Sequence, residues 1–281
     1  MDKKGSSDQL RYVAGVSYKG TGYYGWQRLK NSHRTIQQMV EEALSRIASH
    51  KVSVVCAGRT DAGVHASRQI IHFDSDAKRS ELNWLFGANH YLPNDITINW
   101  VKPITSCFDA RFSAISRNYI YIIYNHLVRS ALFASETTWC HKPLNTNNMQ
   151  IAADYLIGKH NFNAYRTVKC QAKHAIRKII NFRVQRINRF VILDIQANAF
   201  LHHMVRNIAG VLIKIGAGEK KPEWAQEVLL SEDRRCAGIT APPGGLYLAD
   251  VIYPEEINLP EEPKAPLFIS EYANNTPDSF S

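Results

Sequence analysis

An aspartate between two glycines is the first residue in the sequence that could do chemistry. Asp61 stands two residues after Arg59, in a loop that contains Gly58 and Gly63 and follows a short apolar run. Glycine permits positive φ angles and close backbone approach, and loops often carry functional groups. A carboxylate held beside a cation could be a nucleophile, whereas a structural aspartate would only stabilise the turn.

Aromatic and basic residues share the segment from Phe108 to Tyr124. Arg111 and Phe112 come first, and Tyr119 follows in an apolar run. An aromatic ring can stack on an exposed base while guanidinium groups bind phosphates. The same tyrosine is equally typical of a buried β-strand. The segment therefore predicts either an RNA contact or a core strand.

Arg206 stands near the start of an apolar segment with helical spacing. Such an arginine either binds an anion, for which the Asp61 carboxylate is a candidate, or extends its head into water. His202 and His203 precede it, but neighbours in sequence point in different directions, and the chain contains neither HExxH nor CxxC. We expect no metal site.

Positive charge is concentrated in two segments that lack acidic residues. The formal net charge is +9, and no acidic residue occurs between Asp154 and Asp194 or between Asp109 and Glu136. Each phosphate neutralised by Lys or Arg releases counterions, so a polyanion is the natural partner. One such run also fits an inert solvated surface, whereas two favour nucleic acid. The basic residues of the longer segment are Lys159, Arg166, Lys169, Lys173, Arg177, Lys178, Arg183, Arg186 and Arg189.

Composition and length narrow the class of protein. The 281 residues are 45% hydrophobic and 21% charged, which is typical of a globular chain long enough for one or two domains. No apolar run approaches the ~18 residues of a membrane span. The five cysteines are odd in number, and the first ten residues lack the apolar core of a signal peptide. We expect a cytoplasmic protein with unpaired thiols and no membrane partner.

Hydrophobic periodicity predicts an α/β (α+β) fold made of two similar mixed α/β domains with largely antiparallel sheets. A capping box at Thr35 and Gln38 begins the first helix, and a hairpin places Ile180, Phe182 and Val184 on its core face. The predicted strands are 11–17, 52–56, 69–73, 96–101, 119–124, 177–185, 190–197 and 246–253, and the predicted helices are 35–48, 80–90, 147–157, 203–215 and 224–230.

We place the domain boundary after residue 108. Residues 1–108 then form an N-terminal α/β domain that carries the Asp61 loop, and residues 109–281 form a C-terminal α/β domain with the basic segments. Five of the 11 prolines lie from Pro254 onward, together with six acidic residues. They predict an extended acidic tail.

Several motifs, in this order along the chain, make it similar to the tRNA pseudouridine synthase A (TruA-like) family. The resemblance covers roughly residues 10 to 269. One departure is Asn118, which stands where a basic residue is common. The motifs are YYGWQR at Tyr23–Arg28, GRTDAGVHA at Gly58–Ala66, ARFSA at Ala110–Ala114 with Tyr119 and Tyr121, NAFLHHMVRN at Asn198–Asn207, and TAPxxGLYL at Thr240–Leu248.

The resemblance implies a pseudouridine synthase fold with an active-site cleft between two domains. It implies an isomerase that converts uridine to pseudouridine in the anticodon stem-loop of tRNA, at tRNA positions 38, 39 and 40. Asp61 would be the nucleophile, attacking C6 of uracil or C1′ of ribose, and Arg206 its ion-pair partner. Tyr119 would stack on the target base, Leu246 would pack beneath it, and Arg59 would assist base flipping.

The resemblance also implies a homodimer that binds the anticodon arm. No cofactor is expected, because uridine and pseudouridine are isomers. Two other readings stay open: a non-catalytic RNA-binding protein in which Asp61 and Arg206 form a structural ion pair, and a metal-dependent nuclease. The resemblance places tRNA contacts at Arg79, Phe108, Asp109, Ala110, Arg111, Phe112, Lys169, Cys170, Gln171, Ala172 and Lys173.

Overall fold

The computed structural model describes residues 9–30, 34–168, 170, 172–263, 266 and 269. The chain forms two compact units: unit 1 is Met1–Ile115 with Asp250–Lys264, and unit 2 is Ser116–Ala249 with Ala265–Ser281. Each unit combines helices with mostly antiparallel strands, so the expected α/β (α+β) class is confirmed. Relative to a division after residue 108, residues 109–115 and 250–264 fall in unit 1.

Unit 1 is built around a central antiparallel strand. Strand β1 lies between β3 and β4, with Val13 opposite both His72 and Lys102, and β2 pairs with β3. Helix α2 packs against α1 and β4. The elements are β1 (Leu10–Tyr18), α1 (Ile36–Ala48), β2 (Val54–Cys56), β3 (His65–Ser75), α2 (Glu81–Tyr91) and β4 (Ile96–Ile104).

Helix α1 begins and ends where its sequence predicts. The Thr35 hydroxyl accepts a hydrogen bond from the Gln38 backbone N–H at 3.4 Å, which satisfies one of the first unpaired donors of the helix. The Gln38 side-chain amide donates to Glu42 Oε1 at 2.9 Å, one turn further along the helix. Ser49 ends the helix in the left-handed region, at φ 60°.

Unit 2 contains a four-stranded antiparallel sheet in the order β5-β9-β8-β7, and β6 adds to β5 in parallel. Helix α3 packs on α4 and β8. Strands β6 and β7 were not predicted. The elements are β5 (Ser116–Asn125), β6 (Thr138–Cys140), α3 (Thr146–Asp154), β7 (Gly158–Asn161), β8 (Ile176–Ile187), β9 (Phe190–Ala197), α4 (Met204–Gly216), α5 (Trp224–Ser231) and β10 (Leu246–Ile252).

The β8–β9 hairpin is confirmed, but the predicted side of Ile180 is wrong. The register shifts between Ile179 and Asn181, so one extra residue stands on β8. A bulge of this kind exchanges the faces of the residues beyond it. Ile179 is fully buried, whereas Ile180 is 43% exposed. The buried Phe182 keeps its predicted side.

A buried ion cluster joins Arg68 to the end of β10 and to the segment that follows it. The Arg68 guanidinium on β3 donates to Asp250 Oδ1 at 2.6 Å and to the Pro260 carbonyl at 2.8 Å. Glu262 Oε2 lies 3.6 Å from Arg68 Nε. This part of the acidic tail therefore packs on β3. The tail residues 264, 265, 267, 268 and 270–281 lie outside the described residues.

We expect Arg68→Met to lower the free energy of unfolding by about 3 kcal/mol, because it leaves the buried Asp250 carboxylate without its guanidinium. Urea unfolding followed by circular dichroism measures the change. The exposed Lys78→Met is the matched control and should stay within about 0.5 kcal/mol of wild type. Equal midpoints for the two variants would show that the cluster does not stabilise unit 1.

Within the described ranges, no helix combines the length and the apolar character that crossing a membrane requires.

Candidate active site

Asp61 lies in the loop between β2 and β3, and buried polar side chains hold that loop in place. The fully buried Gln69 uses both ends of its amide on Gly58: Oε1 accepts from the backbone N–H at 3.2 Å, and Nε2 donates to the carbonyl at 2.5 Å. The Thr60 hydroxyl hydrogen-bonds to the Tyr18 hydroxyl at 2.7 Å. Asp61 itself is half-buried.

Two glycines before α1 allow a second loop to pass directly against the Asp61 loop. A Cβ at Gly25, whose φ is +85°, would lie 2.7 Å from the Thr60 carbonyl oxygen. A Cβ at Gly20 would lie 1.9 Å from the Val64 carbonyl oxygen. The Val64 N–H also donates to the Asp61 carbonyl at 3.1 Å. The backbone around the carboxylate is therefore fixed by close packing and hydrogen bonds.

The other potential nucleophile beside this loop is not activated. Cys56, the last residue of β2, is buried, and burial raises the pKa of its thiol to about 12 even though the Arg59 charge acts in the opposite direction. A protonated thiol is a poor nucleophile at neutral pH. Asp61 is the better candidate, and Arg59 beside it is exposed.

Residues 108–112 form a tight turn that presents two side chains outward. Asp109 Oδ1 accepts from the backbone N–H groups of Arg111 and Phe112, each at 2.8 Å. Phe112 is 78% exposed, and the Arg111 guanidinium lies 5.2 Å from its ring centroid. Phe108 and Ala110 are buried, so their side chains anchor the turn.

His72 on β3 holds the turn from inside unit 1. Its Nδ1 accepts from the Ala110 N–H at 3.0 Å, which requires an unprotonated Nδ1. Burial lowers the pKa of His72, and the nearby Arg11 charge lowers it further, in agreement with a neutral ring. The Tyr253 hydroxyl donates to the Ala110 carbonyl at 2.6 Å. These bonds explain why residues 109–115 belong to unit 1.

Unit 2 carries the other three residues that the motifs single out. Tyr119 on β5 is buried, and its ring meets Phe200 edge to face with centroids 4.9 Å apart. Arg206 lies in the first turn of α4, half-buried, and its Nε donates to the Ala241 carbonyl at 2.9 Å. Leu246 is the buried first residue of β10.

The second tyrosine of the motif is a structural residue. Tyr121 is fully buried, and its hydroxyl donates to the Pro242 carbonyl at 2.8 Å and bonds to Thr138 Oγ1 at 2.6 Å. A Cβ at Gly245 would lie 2.6 Å from the Ile122 carbonyl oxygen. Strand β5 thereby fixes the turn that leads into Leu246.

Comparison with known proteins gives the family. Residues 14–113 and 152–254 match the sequence profile described as tRNA pseudouridine synthase. The chain is 51% identical to tRNA pseudouridine synthase A of Alcanivorax borkumensis, covering 93% of this chain and 98% of that one. It is 49% identical to the Pseudomonas aeruginosa protein of the same name, covering 92% of this chain and 91% of that one. The chain belongs to the tRNA pseudouridine synthase family.

Membership of the tRNA pseudouridine synthase family confirms the resemblance inferred from the motifs. It also confirms the expectation of an isomerase that converts uridine to pseudouridine. The roles of individual side chains stay predictions, and their positions are now known. Asp61 and Arg59 belong to unit 1, whereas Tyr119, Arg206 and Leu246 belong to unit 2.

The expected tRNA contacts differ in exposure: Arg111 and Phe112 are exposed, whereas Phe108 and Ala110 are buried. Arg79 in unit 1 is exposed, and its Nε donates to the Ile47 carbonyl at 3.3 Å. In unit 2, Lys173 is exposed, and Cys170 and Ala172 are half-buried. Lys169 and Gln171 lie outside the described residues.

The sequence analysis did not single out Gln69 and Arg234, whose side chains hydrogen-bond to residues of the motifs. Gln69 shows no motif that distinguishes it from other strand residues, and Arg234 stands beside Arg235 and Asp233 in a run typical of a solvated surface. Their importance depends on contacts between residues distant in sequence. The one available clue is that Asn207 and Thr240, which both contact Arg234, lie inside two of the motifs.

Proposed function

We propose that this enzyme isomerises uridine at positions 38, 39 and 40 of the tRNA anticodon arm, with Asp61 as the nucleophile. The observation that carries the proposal is the half-buried Asp61 carboxylate in an intact Gly58–Ala66 motif, on a loop whose backbone is held by Gln69 and Thr60. A nucleophile must be held in a defined geometry before the substrate arrives.

The reaction exchanges one bond to the ribose for another. Asp61 attacks C1′ or C6 and the N1–C1′ bond breaks; the uracil turns, C5 bonds to C1′, and the bond to Asp61 breaks so that the free carboxylate is restored. The hydrogen at C5 leaves as a proton, and N1 gains a proton, so the product is an isomer of the substrate. Arg206 serves as the cationic partner of the Asp61 carboxylate.

Three further side chains act on the flipped nucleotide. Tyr119 stacks on the uracil, and its hydroxyl assists removal of the C5 proton. Leu246 packs beneath the base, and Arg59 occupies the space that the extruded nucleotide leaves. Arg59 is exposed, as a side chain that enters the RNA must be, whereas Tyr119 and Leu246 are buried.

Basic residues on the surface of unit 2 supply the tRNA contacts. Strand β8 and the turn after it carry exposed basic side chains, and no acidic residue occurs between Asp154 and Asp194. Arg111 and Phe112 add a cation beside an exposed ring. We include in the proposal a homodimer that grips one tRNA, and a cytoplasmic location because tRNA is the substrate. The exposed residues are Lys178, Arg183, Arg186 and Arg189.

Release of tritium from tRNA containing [5-³H]uridine tests the function. The wild-type enzyme should release it in the presence of EDTA, because no step uses a metal. Substitution of the uridines at positions 38–40 by cytidine should abolish release. Salt-sensitive tRNA binding with no release would instead favour the non-catalytic RNA-binding protein, and loss of activity with EDTA would favour a metal-dependent enzyme.

Tyr119→Phe should lower kcat roughly 10²-fold, because removal of a proton-transfer group typically costs that much. Affinity for tRNA should stay within about twofold of wild type, since the ring that stacks on the base and packs on Phe200 is retained. Single-turnover tritium release and filter binding measure the two quantities. Tyr91→Phe, on an exposed side chain of α2, is the control. Unchanged turnover in Tyr119→Phe would remove the hydroxyl from the mechanism.

A further inference from the structure

A polar cluster inside unit 2 joins the first turn of α4 to the segment that precedes β10. The Arg234 guanidinium donates from Nη2 to Asn207 Oδ1 at 3.0 Å and to Thr240 Oγ1 at 2.8 Å. Its Nη1 donates to the Gly238 carbonyl at 2.8 Å. Thr240 Oγ1 donates in turn to Asn207 Oδ1 at 2.6 Å, and Asn207 Nδ2 donates to the Tyr165 carbonyl at 2.7 Å.

The donors and acceptors of this cluster are matched. Arginine can only donate, the Asn207 carbonyl oxygen accepts two bonds, and the Thr240 hydroxyl accepts one and donates one. Asn207 is fully buried. Arg234 and Thr240 are half-buried, and a matched network around a buried amide favours one arrangement, because a shift would leave the Asn207 amide unpaired.

Arg206 is attached directly to both halves of this cluster. It precedes Asn207 on α4, and Ala241 follows Thr240. The Arg206 Nε donates to the Ala241 carbonyl at 2.9 Å, and the Ala241 N–H donates to the Arg206 carbonyl at 3.1 Å. The cluster thus fixes the carbonyl oxygen that orients the Arg206 side chain.

The segment lies so close to α4 that a side chain would prevent the contact. A Cβ at Gly210 would lie 2.1 Å from the Ile239 carbonyl oxygen. The Ile239 side chain is itself 76% exposed, so its own burial does not hold it in place. Ala241 is buried, and the bond from Arg234 holds the half-buried Thr240 that precedes it.

Arg234 keeps its charge in a partly desolvated place with neutral partners. Within the described part of the chain, it donates to a carbonyl, an amide and a hydroxyl oxygen, whereas Asp233 pairs with Arg235. Burial lowers the pKa of Arg234, because the charged form loses part of its hydration. Desolvation of the Arg234 guanidinium costs free energy, so its charge does little to stabilise the fold. Its planar donors match three oxygens, which fits a role in positioning these groups.

We propose that Arg234 is a positioning residue for Arg206: it binds Asn207 and Thr240 together so that the Ala241 carbonyl holds the Arg206 guanidinium in its working direction. The inference rests on the proposed function, in which Arg206 acts in the reaction. It predicts that Arg234 affects turnover although it does not touch the substrate.

Arg234→Met tests the proposal, because methionine keeps an unbranched apolar stem and removes every donor. We expect kcat to fall roughly 10- to 100-fold, as a small misplacement of a reacting group does, with KM for tRNA within about threefold of wild type. Arg234→Lys, which keeps the charge but not the fork, should recover part of the loss. Thr240→Val, which removes only the shared hydroxyl, should also lower kcat. It tests the proposal even if Arg234→Met does not fold.

Arg235→Met is the matched control, because Arg235 is the next residue, its side chain is 90% exposed and Asp233 is its ion partner. Its kcat should equal that of wild type within about twofold. In a double-mutant cycle, Arg234→Met should add little to the loss caused by Arg206→Lys, since both act through one side chain. Multiplicative losses, or equal losses for Arg234→Met and Arg235→Met, would overturn the proposal.

A measurement without turnover separates this inference from the proposed function. The Arg206 Nε–H, identified by its absence in Arg206→Lys, should be protected from hydrogen exchange in wild type and lose protection in Arg234→Met. If wild type releases no tritium but this protection depends on Arg234, the proposed function fails and the positioning stands. If protection is the same with and without Arg234, the positioning fails, whatever the activity.

Discussion

Replacement of Asp61 by asparagine is expected to lower the rate of tritium release by at least about 10⁴-fold, as loss of a nucleophile does in other enzymes. The amide has the shape of the carboxylate but cannot form the covalent bond. The loop should keep its structure, because contacts at Gly58, Thr60 and Val64, which the substitution retains, hold its backbone. Affinity for tRNA should therefore stay within about threefold of wild type.

The matched control is Asp76→Asn, an exposed aspartate of unit 1 close to His50. It should leave turnover unchanged. Asp61→Ala should be as inactive as Asp61→Asn, and it excludes slow deamidation of the asparagine as a source of residual activity. Activity above one per cent of wild type in both Asp61 variants would assign the carboxylate a structural role.

Arg206→Met is expected to lower kcat about 10²- to 10³-fold, in the range found when one preorganised charge or donor is removed from an active site. The variant loses the cation that we assign to the Asp61 carboxylate. It also loses the bond from Nε to the Ala241 carbonyl. Arg206→Lys should be intermediate, because an ammonium retains the charge but not the planar donor geometry.

Lys214→Met, in the last turn of the same helix α4, is the control for charge and helix stability. Steady-state tritium release gives kcat and KM for both variants. A loss confined to KM would place Arg206 among the tRNA contacts. Equal losses in kcat for the two variants would show that the effect belongs to the helix as a whole.

Local patterns were sufficient for most elements of the fold. The helix after Thr35 and the β8–β9 hairpin follow from capping and from alternation of apolar residues, which act over a few positions. Strand β6 is three residues long and pairs in parallel with β5. Its existence depends on a partner distant in sequence, and no local pattern reveals it.

The motifs in the sequence identified the candidate site residues, but they did not identify the side chains that hold those residues in position. Asp61 and Arg206 stand out because a carboxylate between glycines and an arginine on an apolar helix need an explanation. Gln69 and Arg234 do not, since a polar residue becomes informative only when its buried partners are known. The face of Ile180 was mispredicted for the same reason, because a bulge is set by the register of β9 rather than by β8 alone.

The return of residues 250–264 to unit 1 has a consequence for biosynthesis. Arg68 leaves the ribosome long before Asp250 and Pro260, its partners on that segment. At a synthesis rate of about 5–20 residues per second, the nascent unit waits on the order of 10–30 s for them. Throughout that interval the Arg68 charge has no carboxylate from this segment, while the whole of 116–249 is being made. We therefore expect the N-terminal portion to reach its native state only after residues 250–264 have emerged, and stalled chains ending before residue 250 to be sensitive to proteases in β3.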